Sequence, residues 1–216
     1  MAASAGPVPV QIRLAWGSTG EDYVTRQAWR NASLPCCPAH PDGGCGFARH
    51  GTYERMDPPG TLIARWYCPE AHKTFSLLPD HLAARFPGTL ARLEEVVAAA
   101  EQTSTRAEAA DRLRPDDVTL PSALRWIDRR LRLVRTVLLT LITLFPDYLG
   151  GSTPSVASLA IRLGYVPCLV HLRVHYCDHL PTLPRPLGFI PPRAGASKRK
   201  KPGQQHMGAD PPAQAG

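Results

Sequence analysis

Cysteine and histidine side chains at positions 37, 45, 68 and 72 bracket a stretch with the alternation and turn chemistry of a β-hairpin. The first pair sits in Cys36-Cys37-Pro38-Ala39-His40-Pro41-Asp42-Gly43-Gly44-Cys45-Gly46 and the second in Cys68-Pro69-Glu70-Ala71-His72. Between them, FARHGTYERM and TLIARWYC flank Asp57-Pro58-Pro59-Gly60, where proline presets φ and glycine tolerates positive φ. A hairpin there returns Cys68 towards Cys45. Three thiolates and one neutral imidazole complete a closed tetrahedral Zn²⁺ site that folds a small module with little apolar core. Cys37, Cys45, Cys68 and His72 are the preferred ligands, since Gly46 suits a tight turn whose N–H groups face the sulfur. Cys36 and His40 are alternates, because Cys37-x-x-His40 is itself ligand spacing. The competing reading is free buried cysteines beside surface histidines, and His50 reads as a surface residue.

Composition narrows the setting. The chain has 216 residues, a formal charge of +7 and a hydrophobic fraction of 44%, enough for one medium domain or a few small ones. The positive charge favours a polyanion such as nucleic acid. Val137 to Phe145 is the longest charge-free apolar stretch of interest, far short of the roughly 20 residues of a bilayer span. The N-terminus lacks the basic and apolar regions of a secretory signal, so the expected address is cytoplasmic, with no membrane partner. Six cysteines, four of them within residues 36–68, then read as metal ligands rather than disulfides. No phosphate loop, nucleophile elbow or H-E-x-x-H is present, and the carboxylates are scattered. Catalysis and a small-molecule substrate are therefore not expected.

Along the chain, residues 1–35 read as a strand-bearing lead-in, with Val10, Ile12, Leu14 and Trp16 on one face, and residues 36–80 as the metal module. Residues 81–150 read as helical: Leu90, Leu93, Val96 and Val97 recur at helical spacing, and Thr105 to Glu108 fits a capping box. Pro121 suits the first turn of a long helix over 122–145 that ends at Pro146. On that helix Leu124, Ile127, Leu131, Val134, Leu138 and Leu141 share one side, and Arg125, Arg129 and Arg132 the other; Arg130 violates the pattern. Residues 181–216, with eight prolines and Lys198-Arg199-Lys200-Lys201, read as a disordered basic tail.

Residues 151–180 read as a helix-turn-helix-like pair, and 154–172 have its grammar, with Ala160 small, Gly164 at the turn and Val170 returning to the shared core. The second helix would offer Cys168, His171, Arg173 and His175 to DNA, and plain helix packing is the alternative. Five arginines within residues 125–135 suit phosphate contact, and residues 198–201 would add sequence-independent affinity. A second metal site among Cys168, His171, His175, Cys177 and His179 lacks distant partner ligands.

The run Arg49-His50-Gly51-Thr52-Tyr53-Glu54-Arg55, then Arg65-Trp66-Tyr67-Cys68, then Lys73-Thr74-Phe75-Ser76 resembles the zinc ribbon of bacterial insertion-sequence transposases, "HGxYxR … RYxCxxCGxTFS". The likeness covers roughly residues 36–80. It implies Cys68 as a ligand and Phe75 as a core residue, with helix-turn-helix modules after the ribbon. Cys37 to Cys45 is wider than C-x-x-C, and Ala71 stands where the last cysteine would be, with His72 one residue later. The family's catalytic domain has no counterpart, so the resemblance implies a stand-alone relative.

The expectation is an α+β chain: a small zinc-ribbon β-hairpin module, then a mainly α-helical, helix-turn-helix-like region and the disordered basic tail at 181–216. Its expected role is zinc-stabilised binding of double-stranded DNA, without catalysis, in transcription control or transposition. The alternative is a protein-interaction adaptor or homodimer using Val137, Leu138, Leu139 and Ile142. An accessory subunit of a transposase or nuclease ranks third.

Overall fold

The computed structural model describes residues 10–113, 119–164 and 167–190. Two β-branched and aromatic runs around the proline-glycine turn form strands β2 (Ala48–Arg55) and β3 (Thr61–Cys68), paired antiparallel with Arg55 opposite Thr61 and Ala48 opposite Tyr67. This register returns Cys68 to the end of the hairpin at which Cys45 enters. Gly60 takes φ +71°, the left-handed geometry the turn requires. A third strand, β4 (Lys73–Pro79), folds back antiparallel on β3, and β1 (Gln11–Leu14) adds parallel to β4, giving the order β1-β4-β3-β2. The lead-in and the metal module therefore share one sheet.

Strand alternation sends the two faces to different cores. On one face, Ile63 and Leu78 join the helices in the main apolar core. On the other, Ala64 and Leu77 pack with Tyr23, Trp29 and Ala32. Tyr23 comes from a short helix, α1 (Gly20–Thr25), started by the Thr19 side chain, and its hydroxyl donates to the Leu62 carbonyl at 2.9 Å. Further along this second face, Cys37, Cys45, Cys68 and Phe75 form a third cluster.

The helices start and stop where their caps dictate. Thr89 caps α2 (Leu90–Gln102). Thr105 accepts from the Glu108 amide at 3.2 Å, opening α3 (Arg106–Leu113), while the Glu108 carboxylate accepts from the Ser104 amide. The long helix α4 (Leu120–Leu144) carries Pro121 in its first turn and ends before Pro146, which starts α5 (Pro146–Leu149). Ile127, Leu131, Val134, Leu138 and Leu141 are buried along it. The helix pair expected within 151–180 is α6 (Val156–Leu163), capped by Gly164 at φ +67°, and α7 (Cys168–His175), at 64° to one another.

The expected disordered tail does not begin at 181. Leu183, Leu187 and Phe189 are buried in the main core, because the chain after α7 turns back and is held by Arg173. That guanidinium is completely buried and donates to the carbonyls of Leu82, Pro186 (2.7 Å) and Leu187 (2.9 Å). Residues 191–216, including Lys198, Arg199, Lys200 and Lys201, lie outside the described residues.

Candidate metal centre and charged helix face

Cys37, His40, Cys45 and Cys68 place one ligand atom each within 4.8 Å of one another. The His40 Nδ1 atom lies 3.3 Å from the Cys68 sulfur and 3.8 Å from the Cys37 sulfur. A tetrahedral ion with bonds of about 2.3 Å to sulfur holds its ligand atoms about 3.7 Å apart, so the donor set fits a single Zn²⁺-sized cation. All six cysteines are unpaired thiols, and the three in this group are buried.

Local turns aim these groups. The Cys37-Pro38-Ala39-His40 turn is closed by the His40 amide donating to the Cys37 carbonyl at 3.1 Å. Gly46, at φ +64°, bends the chain directly after Cys45. Backbone amides point at the sulfurs: Ala39 and His40 at Cys37, Phe47 at Cys45, and Ala71 at Cys68 at 3.4 Å. Such bonds stabilise thiolate over thiol. Burial pushes the Cys37 thiol up, but the His40 imidazole and the two amides outweigh it and bring the pKa to about 7. Burial and the neighbouring sulfurs of Cys37 and Cys68 push Cys45 up to about 11. Without a cation the cluster thus resists carrying three charges at once; a divalent ion removes that penalty.

His40 has a supporting partner that sequence reading did not single out. Its Nε2 atom lies 3.4 Å from a carboxylate oxygen of Glu70. A metal-bound imidazole commonly gives its other N–H to a carboxylate, which fixes the tautomer and ring orientation. The adjacent small core stacks Phe47 on Trp66, ring centroids 5.3 Å apart, and sets Phe75 edge-on to Phe47.

The expectation of His72 is corrected in placement: it lies outside the group, and His40 brings the fourth potential ligand atom. Alternation along β3 explains this. Cys68 faces the buried side, whereas Tyr67 faces the other, and His72 approaches the Tyr67 hydroxyl at 3.5 Å from an exposed turn with φ +49°. Cys36, the other alternate, is exposed and does not join the cluster.

The expected exposure of Arg173 and Cys168 on a recognition helix is corrected as well. Arg173 faces the core rather than a duplex, and Cys168 is fully buried. The amide end of α7, where a reading helix meets bases, is closed by Glu94: its carboxylate accepts from the Cys168 amide at 2.7 Å and the Leu169 amide at 2.6 Å. His171 is half-buried, its ring stacked at 5.7 Å on that of the exposed His175.

Arg125, Arg129 and Arg132 are exposed on α4, with Arg135 beside them. Arg130, the exception to the stripe, lies 3.7 Å from the Trp126 ring centroid and 5.1 Å from that of Phe86. Burial and the neighbouring Arg129 charge lower its pKa to about 10. The adaptor surface loses most of its residues, because Val137 and Leu138 are buried and Ile142 packs against the core, leaving Leu139 exposed.

Compared with family models, curated proteins and solved structures, the chain matches none. Its function is therefore argued from geometry. Among the described residues, no single helix is long and apolar enough to cross a membrane.

Proposed function

We propose that this chain is a zinc-stabilised, non-catalytic DNA-binding protein, transposition-related or transcription-regulatory, whose contact surface is the arginine face of α4. The observation that carries the reading is the line of exposed guanidiniums at 125, 129 and 132, none of which enters an ion pair among the described residues. Spaced at i, i+4 and i+7, they span about 10 Å of one helix side. They can thus meet successive phosphates of one strand and position the duplex without reading bases. The metal centre gives the sheet end of the molecule a rigid clamp in place of a large core. The formal charge of +7 adds long-range attraction.

Titrating the zinc-loaded protein with duplex DNA at increasing salt tests this. Affinity should fall with salt, and Arg125→Gln with Arg129→Gln should reduce the slope of log K on log salt by about 2, near one per lost phosphate contact. Salt-independent binding, or no binding, removes the proposal.

A further inference from the structure

The inward side of the α4 arginines borders a groove that shares only Arg132 with the duplex-binding face proposed above. A hollow of about 390 Å³ lies between α3 and α4, with Arg106, Arg132 and Arg135 on its walls and Asp128 as its one acidic residue. A second hollow of about 450 Å³ shares Arg106 and Arg135 with the first and is bordered by Ser104, Thr105, Ser155 and Glu101. Both volumes fall within the roughly 300–1,000 Å³ of small-molecule sites. Arg106 pairs with Asp128, but Arg132 and Arg135 enter no ion pair among the described residues. Across the two hollows three guanidiniums face the carboxylates of Asp128 and Glu101, a net charge of about +1 in a concave site, where walls of low dielectric focus the field.

Glu101 supplies an observation of a different kind. One of its oxygens accepts from the amides of Val156 (3.1 Å) and Ala157 (3.4 Å), so the start of α6 already has its anion. Its other oxygen, Oε1, is buried with no hydrogen-bond partner. A buried carboxylate oxygen without a donor is costly. The second hollow has Glu101 and the hydroxyl-bearing Ser104, Thr105 and Ser155 along its border, polar groups that suit a hydroxylated body, while the arginines of the first suit a phosphate.

We infer that this double hollow is a binding site for a phosphate monoester carried on a hydroxylated body, the chemistry of a sugar phosphate or of a phosphorylated strand end. Arg106, Arg132 and Arg135 hold the phosphate through charge-assisted bonds, and Glu101 accepts from a hydroxyl of the body. Asp128 competes with the phosphate for Arg106. The site shares Arg132 with the duplex reading and differs from it in Arg106, Arg135 and Glu101, since Arg125 and Arg129 do not line either hollow.

Calorimetric titration of the zinc-loaded full chain with ribose 5-phosphate and with inorganic phosphate tests it. Ribose 5-phosphate should bind more tightly than inorganic phosphate. Arg135→Gln and Arg132→Gln should each weaken it by about tenfold, the size of one charge-assisted contact. Asp128→Asn should tighten it, and Glu101→Gln should weaken ribose 5-phosphate more than inorganic phosphate. Arg26→Gln, exposed and outside the groove, should stay within about twofold. The exposed arginine variants keep the test decisive even where Glu101→Gln unfolds. A duplex that competes more strongly when 5′-phosphorylated assigns the phosphate to a strand end, whereas competition that the 5′-phosphate does not change, or no competition, assigns it to a free sugar phosphate. Absence of binding by both small ligands, equal affinity for the two, or Arg26→Gln losing as much as Arg135→Gln overturns the site.

Discussion

Glu70 lies 3.4 Å from His40 yet would contact no metal, and its exposed position makes its contribution measurable without threat to the fold. Glu70→Gln is expected to weaken zinc binding by about tenfold, read by competition with a chromophoric chelator. His40→Ala should lose far more, while His72→Ala should bind as the wild type does; the reverse ranking would restore His72 as the ligand. His81 is a half-buried imidazole whose two ring nitrogens are both buried. Its ring lies 5.6 Å from that of Tyr23, a Cβ added at Gly20 would meet it at 3.1 Å, and neither ring nitrogen has a hydrogen-bond partner. Burial, together with the Arg173 charge, lowers its pKa from the usual 6.5 to about 4. The unfolded chain therefore binds more protons than the folded one between these values. The neutral ring's stabilisation is complete above pH 6.5 and is lost as pH falls towards 4. His81→Leu should flatten this loss by about 2 kcal/mol, seen as a smaller difference in urea midpoint between pH 7 and pH 4.5. Metal release on acidification is common to both proteins and cancels in the comparison.

Helix α7 shows how an element can look like a reader and serve as a strut. Its amide end is closed by Glu94, whose pKa is raised by burial against the lowering pull of the Leu169 and Cys168 amides. Truncating that carboxylate leaves two buried amides unpaired, so Glu94→Ala is expected to cost about 2–3 kcal/mol in chemical denaturation while leaving duplex affinity unchanged. A loss of DNA binding at full stability would instead return α7 to the interface. The long helix α4 was legible from its period: Ile127, Leu131, Val134, Leu138 and Leu141 are buried as their spacing requires. Arg130 was legible only as an exception. Its place over Trp126 and Phe86 depends on the loop before α2, far away in sequence.

Across the molecule, two fastenings act on different parts. Arg173 ties α7 to the carbonyls of Leu82, Pro186 and Leu187, and so joins the end of the sheet to the returning chain. Its burial lowers its pKa to about 9, which leaves it charged at neutral pH. Replacing it with methionine leaves those carbonyls without their donor and should cost at least about 3 kcal/mol. Chelation, by contrast, should act at the sheet's other end. The metal cluster is separate from the main helical core, so removing zinc is expected to erase the near-ultraviolet dichroism of the Phe47–Trp66 stack and keep most of the far-ultraviolet helical signal. Global unfolding on chelation, or no change at all, would contradict this division.

The cysteine knuckles, the turn at Asp57 to Gly60, the Thr105 cap and the extent of α4 follow from residues close together in the chain, where spacing and backbone preference leave few alternatives. The choice of His40 over His72 does not. It depends on which face of β3 each side chain meets after the strands pair. The same holds for Arg173, whose partner Leu82 is 91 residues away, for Glu94, 75 residues from Leu169, and for the packing of Leu183, Leu187 and Phe189. An arginine, a glutamate or a proline-rich stretch has one local chemistry whether it faces water or a core. Burial and the partners brought in from distant segments give that chemistry its role.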